Sequence, residues 1–311
     1  MSLTRFDLDD LLTCTRASSA LIRNSAGVYS SVGNNILRRS FEGGSFCLLA
    51  EETRTNLLLN SETLSTQSVT VTNVAHTLTF EGTGTVTLSG ASTAGPLEGT
   101  GATDRVSLTF TPTAGSLTLT VSGSVKFANL EIGTFGTSPI LTTGSAVTRQ
   151  ADQIKLNDGL LAQVYGGGPV SVLTEFEAEY VSGGGNTSRV WQMDDGAPSN
   201  RMNVDVFESG NESTVRTRTL GTFVQDDRTA YTSGNLLKIA SRFLADDFAV
   251  SRNGGAVTTD TSGALPAGLN ALEFGRTSYA DSLSGVRILR LRKFILYPAA
   301  LTNAELEALS A

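Results

Sequence analysis

The chain has 311 residues, enough for about two domains with a sizeable core. Charged residues are 17% of it and the net charge is −7, so the surface is built from neutral polar residues and nucleic acid is not an expected partner. No stretch reaches the ~18 apolar residues of a membrane span, so membrane insertion is not expected either.

Residues 1–60 read as a mixed segment whose helix-like stretch is Phe6 to Leu12. The first ten residues are polar and lack a secretory pattern, so synthesis in the cytoplasm is expected. Cys14 and Cys47 are the only cysteines. Their pairing stays open, although two buried free thiols suit a cytoplasmically made chain better. His76 is the single histidine, so a zinc site has too few ligands and a Ser–His–Asp triad would rest on that residue alone. It lies in a Thr-rich strand-like run, where a packing or surface role is expected.

Residues 61–137 alternate apolar and polar with period two. His76-Thr-Leu-Thr-Phe80, Val86-Thr-Leu-Ser89, Val106-Ser-Leu-Thr-Phe110 and Leu117-Thr-Leu-Thr-Val121 predict short half-buried strands, and the glycines between them predict turns. A small β-sandwich or jelly-roll module is expected. Residues 138–152 read as a linker. Residues 153–311 return to strands: Val170 to Tyr180, Arg201 to Phe207, and Val286 to Leu296. Phe248 to Val257 predicts a hairpin around Asn253-Gly254. Thr302-Asn-Ala-Glu305 predicts a capping box for a last short helix, with Leu306 and Leu309 on its apolar face. The fold class is therefore all-β.

The order of the last part, from the Val170 strand through the Asn-Gly hairpin and Leu272-Glu-Phe-Gly-Arg276 to Leu283-Ser-Gly-Val286 and the ending Leu301 to Leu309, resembles the laminin-G-like or concanavalin-like jelly rolls. Upstream, the chain carries Thr15-Arg-Ala-Ser18, Ala26-Gly27 and Leu48-Leu-Ala-Glu-Glu-Thr-Arg-Thr-Asn-Leu-Leu-Leu-Asn-Ser-Glu62. It also carries Gly101-Ala-Thr-Asp-Arg-Val-Ser-Leu108, Ala128-Asn-Leu-Glu-Ile-Gly133 and Val147-Thr-Arg149 through Ala151-Asp152. Together these resemble virion proteins of tailed bacteriophages and related gene-transfer particles. The resemblance implies a structural tail or head fibre or spike whose terminal jelly roll binds sugar. It also implies that residues 1–60 attach the chain to other virion subunits.

A sugar site needs an aromatic platform for the apolar face of a pyranose and planar polar groups for its hydroxyls. The candidates are Trp191 with Arg189, Gln192 and Asn200, and a second set of Arg276, Tyr279 and Asp281. The competing reading makes Trp191 core. Asp194 and Asp195 offer oxygen ligands for Ca²⁺, the one cofactor considered, although turn acids are the favoured reading. Glu175, Glu177 and Glu179 share one strand face. Concanavalin-like glycoside hydrolases use a comparable ladder with two carboxylates as nucleophile and acid. Here the middle residue is Glu where that family usually has Asp, and a polar outer face explains the ladder equally well.

The expected protein is a non-enzymatic, homo-oligomeric virion surface component that adsorbs to host cell-surface polysaccharide. The alternatives are a glycan depolymerase using the glutamate ladder and a purely structural or decorating subunit.

Overall fold

The computed structural model describes residues 11–179, 187–276 and 288–311. The chain divides into two units: residues 1–16, 35–52 and 152–311 form the first, and residues 17–34 and 53–151 the second. In chain order, β1 (Leu12–Thr15) belongs to the first, and β2 (Ala20–Arg23) and β3 (Tyr29–Val32) to the second. The chain returns to the first for β4 (Arg39–Glu42) and β5 (Ser45–Glu51). The second then takes β6 (Arg54–Asn56), β7 (Gln67–Val71), β8 (His76–Gly82), β9 (Thr85–Gly90), β10 (Leu97–Glu98), β11 (Gly101–Phe110), β12 (Gly115–Ser122), β13 (Val125–Ile132) and β14 (Val147–Arg149). The first is completed by β15 (Gln153–Leu156), α1 (Leu161–Val164), β16 (Val170–Glu179), β17 (Thr187–Asp194), β18 (Arg201–Phe207), β19 (Glu212–Thr219) and β20 (Thr222–Ala230). After these come β21 (Leu237–Phe243), β22 (Phe248–Arg252), β23 (Thr258–Asp260), β24 (Ala271–Phe274), β25 (Ile288–Tyr297) and α2 (Asn303–Ser310).

The spatial units therefore depart from linear divisions at 60, 137 and 152. β1 pairs with β15, and β5 pairs with β25, because the sheets of the first unit need these strands to satisfy their ladders. The 138–152 stretch is tied down as well: β14 pairs with β6, and Ile140 and Thr142 are buried. Of the helix-like stretch from Phe6 to Leu12, residues 6–10 lie outside the described residues and Leu12 opens β1.

In the second unit, sheet β10-β9-β12-β7 and sheet β11-β8-β13 share a core of Leu78, Phe80, Val86, Leu88, Leu117, Leu119, Val125 and Leu130. The alternating runs supply this core. β8 departs from half-burial, since all its residues are buried. Its polar side chains are bonded: Thr77 Oγ1 donates to Gly133 O at 2.8 Å, and Glu81 accepts from the Tyr29 hydroxyl at 2.5 Å. His76 is a packing residue, its Nδ1 donating to Val74 O at 2.8 Å.

The first unit stacks two seven-stranded antiparallel sheets, β1-β15-β24-β17-β18-β19-β20 and β23-β22-β21-β16-β25-β5-β4. Their inner faces enclose Phe176, Trp191, Phe243, Phe248, Phe274 and Phe294. Trp191 meets Phe294 edge-on at 5.5 Å and Phe243 at 6.1 Å, the arrangement ring quadrupoles favour. α2 has the expected capping box, with Leu306 packed on Leu173, Ala240 and Ala249 of the second sheet. Asn253 and Gly254 both take positive φ, as a primed turn requires. Pairing resumes only at Thr258, because the turn is held against the end of α2 by the Gly254 N–H donating to Ser310 Oγ at 3.1 Å.

Three residues that carry the upstream resemblance, Arg16, Glu51 and Asp152, meet Arg38 in a buried ion cluster of the first unit. Arg16 reaches Asp152 at 2.6 Å and Arg38 reaches Glu51 at 2.7 Å, while Arg38 also pairs with Asp152. Burial opposes the charge on Arg38, but Asp152 and Glu51 outweigh it and hold the guanidinium more firmly protonated than usual. Cys14, beside this cluster, is a free thiol pushed up to about 11 by burial, and free Cys47 is pushed up to about 12 for the same reason.

Candidate functional site

The outer face of the first sheet is polar across its whole width. Register aligns Thr13, Lys155, Glu273, Gln192, Asn203, Arg216 and Asp226 in one row over all seven strands. A neighbouring row aligns Asp194, Arg201, Arg218 and Phe223. Another aligns Arg189, Asp205, Thr214 and Arg228. The side chains lock one another. Asp205 accepts from Arg189 and from Asn203 Nδ2 (2.7 Å), and Arg216 lies 3.5 Å from it. Asp226 accepts from Arg216 Nε at 2.9 Å and from Arg228 Nη2 at 2.7 Å.

Exposed side chains gather on this face at the β19–β20 turn, where β20 is the last strand in the sheet order. Burial opposes ionisation of Asp226, but its bonds to Arg228 and Arg216 win and hold its carboxyl below the usual range. Burial pushes Glu273, further in, the other way. At the tip Leu220 is 84% exposed and Phe223 is 44% exposed. Guanidinium carbons of Arg218, Arg201 and Arg216 lie 5.1, 5.5 and 5.5 Å from the Phe223 ring centroid. Leu220 has φ 50° and Gly221 φ 86°. The left-handed region suits glycine or asparagine there, and a bulky leucine in it is strained. A β-bulge between Thr217 and Arg218 sets the aim of Phe223. Simple alternation from buried Gln225 would turn this ring inward; the extra residue turns it out against Arg218.

Loops pin the tip. Asn200 accepts from the Leu220 N–H at 2.9 Å through Oδ1 and donates to Asp195 through Nδ2 at 2.8 Å. Arg218 donates to Gly221 O at 2.7 Å and to Pro198 O at 3.3 Å. A depression lined by Phe223, Val224, Gln225, Asp226, Asp260, Ser262 and Gly263 adjoins the ring. An exposed aromatic face beside planar polar groups is what a pyranose needs.

The expected site residues scatter. Trp191 is 0% exposed and its Nε1 donates to Thr174 Oγ1 at 2.8 Å, so it is a core residue and offers no platform. Arg189 and Gln192 lie on the polar face but are buried in its network. Asn200 stands at the tip. Arg276 is bound to Gln153 Oε1 (2.5 Å) and Glu273 (3.1 Å), away from the β20 edge. Tyr279 and Asp281 lie outside the described residues. Asp194 accepts from the Gly196 N–H at 2.8 Å and Asp195 from the Ala197 N–H at 3.1 Å, so both shape the turn. Among the described residues no group of three His, Cys, Asp or Glu side chains is placed to hold a metal ion.

Glu175, Glu177 and Glu179 do share the outer face of the second sheet. Each faces a cation: Lys293 lies 3.8 Å from Glu175, Arg292 2.5 Å from Glu177, and Arg290 2.7 Å from Glu179. The ladder is assembled as cross-strand ion pairs.

No family model matches the chain, and no curated protein matches it in sequence. Solved structures similar to it include the binding domain of botulinum neurotoxin DC in complex with rat synaptotagmin II. That match has 10% identity and a TM-score of 0.40, and covers 52% of this chain and 40% of the toxin chain. A second is domain 4 of the extracellular arabinanase AbnA from Geobacillus stearothermophilus, in complex with arabinotriose, with 14% identity, TM-score 0.41, and 52% and 73% coverage. A third is the NanB sialidase of Streptococcus pneumoniae, with 12% identity, TM-score 0.39, and 49% and 25% coverage. The chain thus spans less than half the length of the toxin chains it is similar to.

Proposed function

We propose that this chain is a virion surface component of a tailed bacteriophage or gene-transfer particle whose first unit binds host cell-surface polysaccharide at the β19–β20 tip. The observation that carries the binding site is the outward-aimed Phe223, ringed by guanidiniums and placed next to a strained, exposed Leu220. The upstream resemblance supports the virion setting, with Arg16, Glu51 and Asp152 serving as framework in the buried ion cluster.

One aromatic platform gives weak recognition. Many copies on a symmetric particle make it effective by raising the local concentration of sites, so the chain is proposed to act as a homo-oligomer. The glutamate ladder, matched cation by cation, is assigned to sheet stability, and catalysis is no part of the proposed role.

The test uses the full chain, because residues 153–311 alone would lack β1, β4 and β5 of the first unit. The chain is multimerised and applied to a glycan array and to whole cells, with and without Ca²⁺, while released sugar is assayed. Saturable binding without release is the expected result. Released oligosaccharide would favour a depolymerase, and absence of binding would favour a structural subunit.

A further inference from the structure

Among the described residues the tip carries one cation, Arg218, whose charge no carboxylate of the framework pairs with. Asp226 is shared between Arg216 and Arg228, and Asp205 between Arg189 and Arg216. Arg218 differs from these neighbours. Among the described residues it forms no salt bridge, and its Nε and Nη1 donate to two main-chain carbonyls. Carbonyl partners fix the guanidinium in place without neutralising it, and Nη2 has no hydrogen-bond partner among the described residues. The fixed cation sits 5.1 Å from the centroid of the half-exposed Phe223 ring. An immobilised guanidinium is a strong recogniser of carboxylates, because its planar donors match two oxygens and little side-chain entropy is left to lose.

Resting on the glycan-binding reading, we infer that the tip selects acidic polysaccharides, with a sugar ring stacked on Phe223 and its carboxylate held by Arg218. The overall charge of −7 makes this selectivity local. Long-range repulsion works against an anionic polymer, so the gain must come from contact at the tip, which salt screens less than it screens distant charges.

The experiment compares binding of the full chain to immobilised polygalacturonate and to the same polymer with its carboxylates reduced to hydroxymethyl groups. Ring and linkage are then constant and only the charge changes. The expected result is about tenfold tighter binding to the acidic polymer, the scale of one charge-assisted hydrogen bond. Arg218→Gln removes that difference, Arg218→Lys restores part of it, and Phe223→Ala weakens binding to both polymers. Melting curves on each variant confirm that it is folded. Equal or tighter binding to the reduced polymer would overturn the acidic selectivity and leave the glycan reading standing. Binding to neither polymer, nor to any glycan on the array, would remove both. Binding to phosphatidylserine vesicles in place of either polymer would overturn the inference in favour of an anionic membrane surface.

Discussion

The two sheets of the first unit both turn a charged face outward, and they use it differently. On the second sheet, Glu175, Glu177 and Glu179 are ion-paired with Lys293, Arg292 and Arg290, and among the described residues no aromatic ring is stacked on these cations. On the first sheet the charges are also paired, but Phe207 and Phe223 are interleaved with arginines, and one guanidinium, among the described residues, has only carbonyl hydrogen-bond partners. Charge alternation by itself therefore marks a sheet surface. An outward aromatic beside an unneutralised cation marks a surface able to hold a ligand.

The sharpest way to break this comparison is to remove a charge from each face. Asp205 is fully buried between Arg189 and Arg216, so Asp205→Ala takes from both guanidiniums a carboxylate they share and is expected to cost about 3–5 kcal/mol, read from urea unfolding. Glu177→Gln on the second sheet is expected to cost about 1 kcal/mol or less, because its pairs are partly solvated. Similar losses at both sites would erase the distinction. Trp191→Ala is also expected to cost about 3–5 kcal/mol, since it empties the core between the sheets, while leaving binding per folded molecule unchanged.

The pH response should separate two carboxyls on the same face. Burial raises Glu273 above its ordinary value of 4.5. Its contribution is fully present below about 4.5 and is lost as pH rises through the raised folded value. Glu273→Gln is therefore expected to flatten the fall in stability on the alkaline side of that point. Asp226 has the opposite sign: held low by Arg228 and Arg216 against burial, it contributes above 3.8 and fails as pH falls through its folded value. Asp226→Asn should thus lessen the acid sensitivity, measured as the urea midpoint at each pH.

The smallest effect concerns Leu220. Replacing it with asparagine, which tolerates positive φ, is expected to raise stability by about 0.5–1 kcal/mol and to weaken polysaccharide binding. A rise in stability with binding untouched would mean that the strain serves no ligand.

Much of this was legible in the sequence. Period-two runs mark the strands, Thr302 and Glu305 mark the final helix, and the three glutamates fall on one face as their spacing requires. The proposed binding tip was not legible, and two bulges explain why. Between Arg189 and Trp191 an extra residue turns the tryptophan from the polar face into the core, and between Thr217 and Arg218 another turns Phe223 from the core to the polar face. A single added residue reverses the alternation without altering composition or texture. The ion cluster was hidden for another reason: Arg16 and Asp152 are separated by 136 positions, so only tertiary pairing brings them together.

The most direct test of the central claim is polysaccharide binding by two full-length variants, Phe223→Ala and the triple Glu175→Gln, Glu177→Gln and Glu179→Gln, each shown to be folded and each assayed for released sugar. A loss of about tenfold or more for Phe223→Ala, in line with the cost of losing a stacked ring, with unchanged binding and no sugar release in the triple variant, is the expected result. Loss of binding or turnover in the triple variant, with Phe223→Ala unaffected, would contradict the account and move the site to the other sheet.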